Sequence, residues 1–142
     1  MSITSAEALA RYGSPIHETS MVLWDVPEVM TRSAIPGRIY LNKDLRGPLA
    51  DAIANLIVRR LDHELRTWDG CFCIRPKRNG NASGASLHSW GLAIDVNASW
   101  NPVGSVGKLS PAFVACFTDA GFAWGGNWDR PDPMHFELSE LP

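Results

Sequence analysis

A chain of 142 residues is long enough to bury a core without metal or disulfide staples and too short for two ordinary domains. Apolar residues make up 45% and charged residues 20%, which excludes a disordered chain. Thirteen Lys+Arg against fifteen Asp+Glu leave a charge of −2 with no basic stripe, so neither a nucleic-acid partner nor an anionic membrane surface is expected.

The opening MSITSAEALARYGSP has no cationic run leading into an apolar stretch, and no apolar run approaches the roughly 20 residues that span a bilayer. The expectation is synthesis in the cytoplasm without a signal peptide, and no membrane insertion. Residues 1–20 read as a loose entry with one short helix over Ala6–Tyr12. Met21–Val26 and Arg38–Leu41 are short strands around the Pro36-Gly37 turn. Apolar residues at Leu49, Ile53, Leu56, Ile57, Leu61, Leu65 and Trp68 predict a helix over Leu49–Trp68, with Pro48 in its first turn and Asp69-Gly70 ending it. A second helix is capped by Ser110, starts at Pro111, runs to Ala120 and stops at Gly121. Strands are expected at Cys71–Arg75, Leu92–Asn97 and Pro133–Leu138. The sum is a single α+β domain over 1–142, a small, mainly antiparallel sheet with helices packed on one face. Cys71, Cys73 and Cys116 are an odd count, read as reduced thiols.

Each of the three late strands alternates apolar and polar residues. Leu92, Ile94 and Val96 stand against Asp95; Phe136 and Leu138 stand against His135 and Glu137; Phe72 and Ile74 stand against Cys73 and Arg75. One shared sheet would gather Asp95, His135, Glu137 and Arg75 on its polar face. His88 lies just ahead of the second strand, where Gly91 allows close backbone approach. His88, Asp95 and His135 then form a set of two imidazoles and one carboxylate. Such a set holds Zn2+ with a fourth position open for water, the arrangement of a catalytic zinc. Asp132, pinned between Pro131 and Pro133, is the candidate base beside that water. Glu137 is its rival, or else orients a ligand imidazole. A metal-free polar cluster remains the plain alternative. A non-haem Fe(II) oxygenase uses the same donor types, but with a tighter His-x-Asp pair.

Ser86 to Asp95 fits SxHxxGxAxD, and Asp132-Pro133-Met134-His135 fits [DE]xxH. Together these resemble the D-alanyl-D-alanine carboxypeptidase and L-alanyl-D-glutamate endopeptidase family of zinc peptidases, which shares its core with hedgehog signalling domains. The run GFAWGGNWDRPDPMHFE at 121–137 looks like small phage endolysins of that group. The resemblance covers roughly Phe72–Leu138 and implies a hedgehog/DD-peptidase-like fold. It implies one Zn2+ per chain on His88, Asp95 and His135, and Asp132 as general base. Arg75 would steady the oxyanion or a substrate carboxylate, with Arg78 as the competing arginine. Ser86 would lie near the substrate, and Trp128 could line the cleft, as could Trp90. His17 and His63 have no such partners and read as solvated.

The implied activity is hydrolysis of an amide bond in the peptidoglycan peptide stem by a monomer acting on the bacterial wall after release. The expected bond is that of an L-alanyl-D-glutamate endopeptidase. The alternatives are a D-alanyl-D-alanine carboxypeptidase or dipeptidase trimming stems, and a non-catalytic zinc-binding module of the hedgehog kind.

Overall fold

The computed structural model describes residues 2–76 and 84–142. Arg78, the competing arginine, lies outside them. The first helix, α1 (Ser5–Tyr12), is capped by Thr4, whose hydroxyl accepts from the Glu7 amide. The chain before it is not loose. Ile3 is 3% exposed, and the Ser5 hydroxyl donates to the Ala85 carbonyl at 2.6 Å. Strands β1 (Met21–Asp25) and β2 (Arg38–Asn42) pair antiparallel as a separate ribbon.

Helix α2 spans Arg46–Val58 and ends ten residues before Trp68, where the apolar spacing had placed its end. Arg60 takes φ 58, the Leu61 amide reaches back to the Leu56 carbonyl, and the Arg60 amide to Ile57. That is a left-handed helix stop built without glycine, so nothing in the composition announces it. Leu61 and Leu65 still pack into the core, but from a reversed chain. The periodicity of burial therefore outlasts the helix.

Beyond it, β3 (Trp68–Gly70), β4 (Ala93–Val96), β5 (Phe122–Trp124) and β6 (His135–Leu138) form one antiparallel sheet in the order β3-β4-β6-β5. The strand expected at Cys71–Arg75 lies earlier, at β3. The pairing carries a register irregularity between Trp68 and Gly70 and reaches no further than Gly70, and Cys71–Arg75 runs on as irregular chain. Helix α3 (Pro111–Thr118) has the expected cap, Ser110 accepting from the Phe113 amide, and Pro111 opens it.

Helices α2 and α3 pack together, and α3 lies against the sheet. Phe117 stacks on Phe136 at 4.5 Å between ring centroids and meets Phe122 edge-on at 5.7 Å. Ile94 and Phe136 are directly opposite across β4–β6, so they share the face under the helices. The fold is α+β with two small antiparallel sheets. Its helical layer leaves the other face of β4 and β6 for chemistry. Among the described residues no helix is long and apolar enough to cross a membrane.

Candidate metal centre and its cleft

Register puts the site together. Asp95 on β4 is the direct partner of His135 on β6, so both side chains leave the same face. Glu137 follows His135 by two residues on that face. Its partners in the neighbouring strands are Ala93 and Ala123, small enough to leave its carboxylate room. His88 arrives from outside the sheet, on a single 3-10 turn over Leu87–Trp90. Ser86 caps that turn by accepting from the His88 amide at 3.3 Å, and Gly91 closes it at φ 66. A Cβ at Gly91 would stand 2.7 Å from the Asn42 amide nitrogen and 2.6 Å from a Met21 carbon, so only glycine fits.

Both imidazoles are oriented from behind. His88 Nδ1 lies 2.7 Å from the Cys71 carbonyl, which can only accept, so Nδ1 carries the proton and Nε2 presents its lone pair. His135 Nε2 lies 2.7 Å from Glu137 Oε1 and donates to it, which leaves Nδ1 as the free donor atom. His88 Nε2 sits 3.1 Å from Asp95 Oδ2, and His135 Nδ1 sits 3.3 Å from Asp95 Oδ1. One donor atom from each of the three residues falls within 4.8 Å of the others.

These approaches are close, yet buried His88 Nε2, Asp95 Oδ1 and His135 Nδ1 have no hydrogen-bond partner among the described residues. Orphaned buried polar atoms are costly. Here three of them converge, and a divalent cation would satisfy all three at once. Two imidazole nitrogens and a carboxylate oxygen also suit Zn2+ by donor type. The cluster therefore fits a metal. Burial alone would raise the Asp95 pKa, but the two imidazoles hold it well below the ordinary carboxylate range. Burial alone would lower His135, but the Asp95 and Glu137 carboxylates push it up to about 9. Below that pH an incoming cation must displace a proton from this ring. Zn2+ affinity of the metal-free protein is accordingly expected to rise about tenfold per pH unit from pH 6 until it levels near 9, read by competition titration against a chromophoric chelator. A pH-independent affinity would contradict the assignment of that proton.

A fourth orphan stands beside the trio. Buried Asp132 Oδ1 has no partner among the described residues. Burial, foremost, pushes the Asp132 pKa above the ordinary carboxylate value, with Asp95 adding to the effect and both imidazoles and Arg75 opposing it. Its backbone is held at both ends: the Asp132 amide donates to the Gly125 carbonyl at 2.9 Å, and its carbonyl accepts from the His135 amide at 3.0 Å. Gly125, which the sequence did not single out, makes this possible. A Cβ there would lie 2.5 Å from the Asp132 carbonyl oxygen. Gly125→Ala is expected to displace the Asp132 loop, to lower kcat at least tenfold and to cost about 1–3 kcal/mol of stability. Steady-state rates alongside urea melts check both effects.

Asp132, His135 and Glu137 line a cleft of about 230 Å³ together with Arg75, Ser86 and Trp128. Arg75 reaches it from irregular chain rather than from the sheet. Its backbone is tied to Ser89, whose hydroxyl accepts from the Arg75 amide and donates to its carbonyl, each at 3.1 Å. Ser89 was a silent member of the motif; only its burial and these two bonds reveal it. Trp128 lies 5.0 Å from the His135 ring. Trp90, by contrast, is buried and donates its indole N–H to the Gly13 carbonyl, so it serves the core. Ile3, Thr4 and Val103 also line the cleft. Among the described residues the three cysteines are free, and burial pushes the Cys71 thiol up to about 12. Cys71 contributes its carbonyl to the site, not its sulfur.

Glu137 thus holds the His135 ring by its Nε2. Glu137→Gln should keep the fold and weaken Zn2+ binding about 10–100-fold, because the amide can present its NH2 to Nε2 and hold the wrong tautomer. Isothermal titration of the variant with Zn2+ measures it.

Residues 79–138 match the family model described as D-alanyl-D-alanine carboxypeptidase. The matched span contains His88, Asp95, Asp132 and His135, and supports a peptidase. No curated protein and no solved structure matches the chain.

Proposed function

We propose that the protein is a zinc peptidase that hydrolyses an amide bond within the peptide stem of bacterial peptidoglycan, as a monomer carrying one Zn2+ on His88, Asp95 and His135. The observation that carries this reading is the convergence of four orphaned buried atoms, three of them ligand-type and one on Asp132, in and beside a single cleft.

A bound Zn2+ would polarise the scissile carbonyl and acidify a water. The chain supplies the rest. Glu137 and the Cys71 carbonyl keep both imidazoles in the ligating tautomer. Asp132, whose buried Oδ1 has no partner among the described residues and whose pKa is raised, takes the proton of the attacking water and returns it to the leaving amine. Arg75 meets the developing oxyanion or a free stem carboxylate. Ser86 and Trp128 contact the stem from the cleft wall.

Within that activity we favour an internal bond, L-alanyl-D-glutamate, cut at the wall after release from the cell, on the likeness of 121–137 to endolysins. A carboxypeptidase removing the terminal D-alanine is the second reading, favoured by the description of the matched family. Mass spectrometry of muropeptides digested by the purified protein separates them. Cleavage between L-alanine and D-glutamate supports the first reading, and released D-alanine supports the second. Undigested stems in the presence of Zn2+ would refute both, leaving a zinc-binding module without catalysis.

A further inference from the structure

Nothing among the described residues bonds Oδ1 of Asp132, so the direction of that carboxylate is set by the backbone that carries it. Proline stands on both sides, and proline has no N–H. Pro131 and Pro133 can be gripped only through their carbonyls and by packing against their rings. The Pro133 carbonyl accepts from the Trp124 indole at 2.8 Å, and the Asp132 amide donates to the Gly125 carbonyl, so both of these holds come from β5 and the turn after it. The Pro131 carbonyl is held from elsewhere in the chain, by the Gly104 amide at 2.6 Å.

Gly104 lies in the loop 101–108, and one side chain closes that loop. Asn101 is 1% exposed. Its Nδ2 donates to the Asn97 carbonyl at 2.8 Å, and its Oδ1 accepts from the Lys108 amide at 2.7 Å. A single short amide thus ties the residue after β4 to both ends of the loop. It offers a donor and an acceptor at fixed spacing, which a carboxylate cannot. Asn97 is fixed in turn: its Oδ1 accepts from the amides of Arg66 and Thr67, and its Nδ2 donates to the Glu64 carbonyl. The loop meets the Asp132 segment at a second point. A Cβ on Gly107, at φ 81, would lie 2.6 Å from Asn101 Oδ1 and 2.7 Å from the Pro133 Cβ, so bare backbone packs between the two. Val103 of the same loop lines the catalytic cleft, whereas Asn101 does not.

We propose that Asn101 is a positioning residue for Asp132, acting through the loop 101–108 on the two prolines that flank the base. The role rests on Asp132 being the base of the peptidase reading above. Asn101 lies between the two motif blocks and belongs to neither. Proton transfer needs the carboxylate within hydrogen-bond reach of its water, and a misplacement of about 1 Å costs about 10²-fold. Without the Asn101 amide, the loop is no longer closed behind Gly104, the hold on the Pro131 carbonyl loosens, and Asp132 hangs from the β5 side alone.

The test is a double-mutant cycle on the Zn2+-loaded full chain. Asn101→Ala should lower kcat on stem peptide about 10–100-fold, with KM within about twofold of the parent. In the Asp132→Asn background the same substitution should change kcat by less than about twofold, because a base that is absent cannot be misplaced. An equal loss in both backgrounds would mean general damage to the fold and would overturn the proposal, as would an unchanged kcat in the parent background. Amide hydrogen exchange of the metal-free proteins reads the same link without chemistry. In Asn101→Ala the amides of Gly104 and Asp132 should exchange at least about tenfold faster, while the amides of β4 keep their protection. Unchanged protection at Asp132, or an equal loss across β4, would overturn the proposal. A parent that cleaves no stem refutes the peptidase reading, and the exchange experiment then decides alone whether Asn101 holds the Asp132 segment. Should Asn101→Ala not fold, Gly107→Ala, which drives a methyl against Asn101 and Pro133, takes its place in both measurements.

Discussion

Asp132→Asn is expected to keep one equivalent of Zn2+ and to lose about 10²–10⁴ in kcat on stem peptide, with KM little changed. The amide is nearly isosteric, so the loop held by Gly125 and His135 has no reason to move. It cannot accept the water's proton, and that proton transfer belongs to the transition state alone. A fall in KM affinity without a fall in kcat would instead make Asp132 a substrate contact. The acidic limb of the rate profile should follow the same group. Burial raises the Asp132 pKa, and the base must be ionised, so activity should fall as pH drops through a value above the ordinary carboxylate range.

His88→Ala should abolish stoichiometric Zn2+ binding and reduce turnover at least 10³-fold, to the level of the metal-free parent. The loss is larger than that of Asp132→Asn, because the electrophile leaves with the ligand. Fold stability is a necessary control here, since His88 is 2% exposed and its ring anchors the Cys71 carbonyl. Metal-free His88→Ala should melt below the metal-free parent, by about 1–3 kcal/mol, because the Cys71 carbonyl loses its donor. The parent should gain stability with added Zn2+ and the variant should not.

The legible part of the site was the part written in strand alternation. Asp95 and His135 could be placed on one face from period-two patterning, and their direct pairing across β4–β6 bears this out. The spacing around His88 and Gly91 likewise carried enough turn chemistry to bring His88 beside the sheet. What failed, failed for physical reasons. The helix over 49–68 was read long because Leu61 and Leu65 remain core residues after the chain has reversed at Arg60, a left-handed stop without glycine. The alternation at 71–75 does not mark a sheet strand: Ile74, one of its apolar residues, is exposed, and Arg75 is tied by its backbone to Ser89. Strand β5 is three residues long, too short to show a period. Glu137 stands open between two roles in the sequence because strand alternation does not encode its 2.7 Å contact with His135 Nε2.

Zinc K-edge absorption on the purified, Zn2+-loaded protein tests the metal centre most directly. The expected spectrum has two imidazole nitrogens and one carboxylate oxygen at about 2.0–2.2 Å, completed by solvent oxygen. A sulfur shell near 2.3 Å, or a protein that retains no zinc after dialysis, would contradict the assignment of His88, Asp95 and His135.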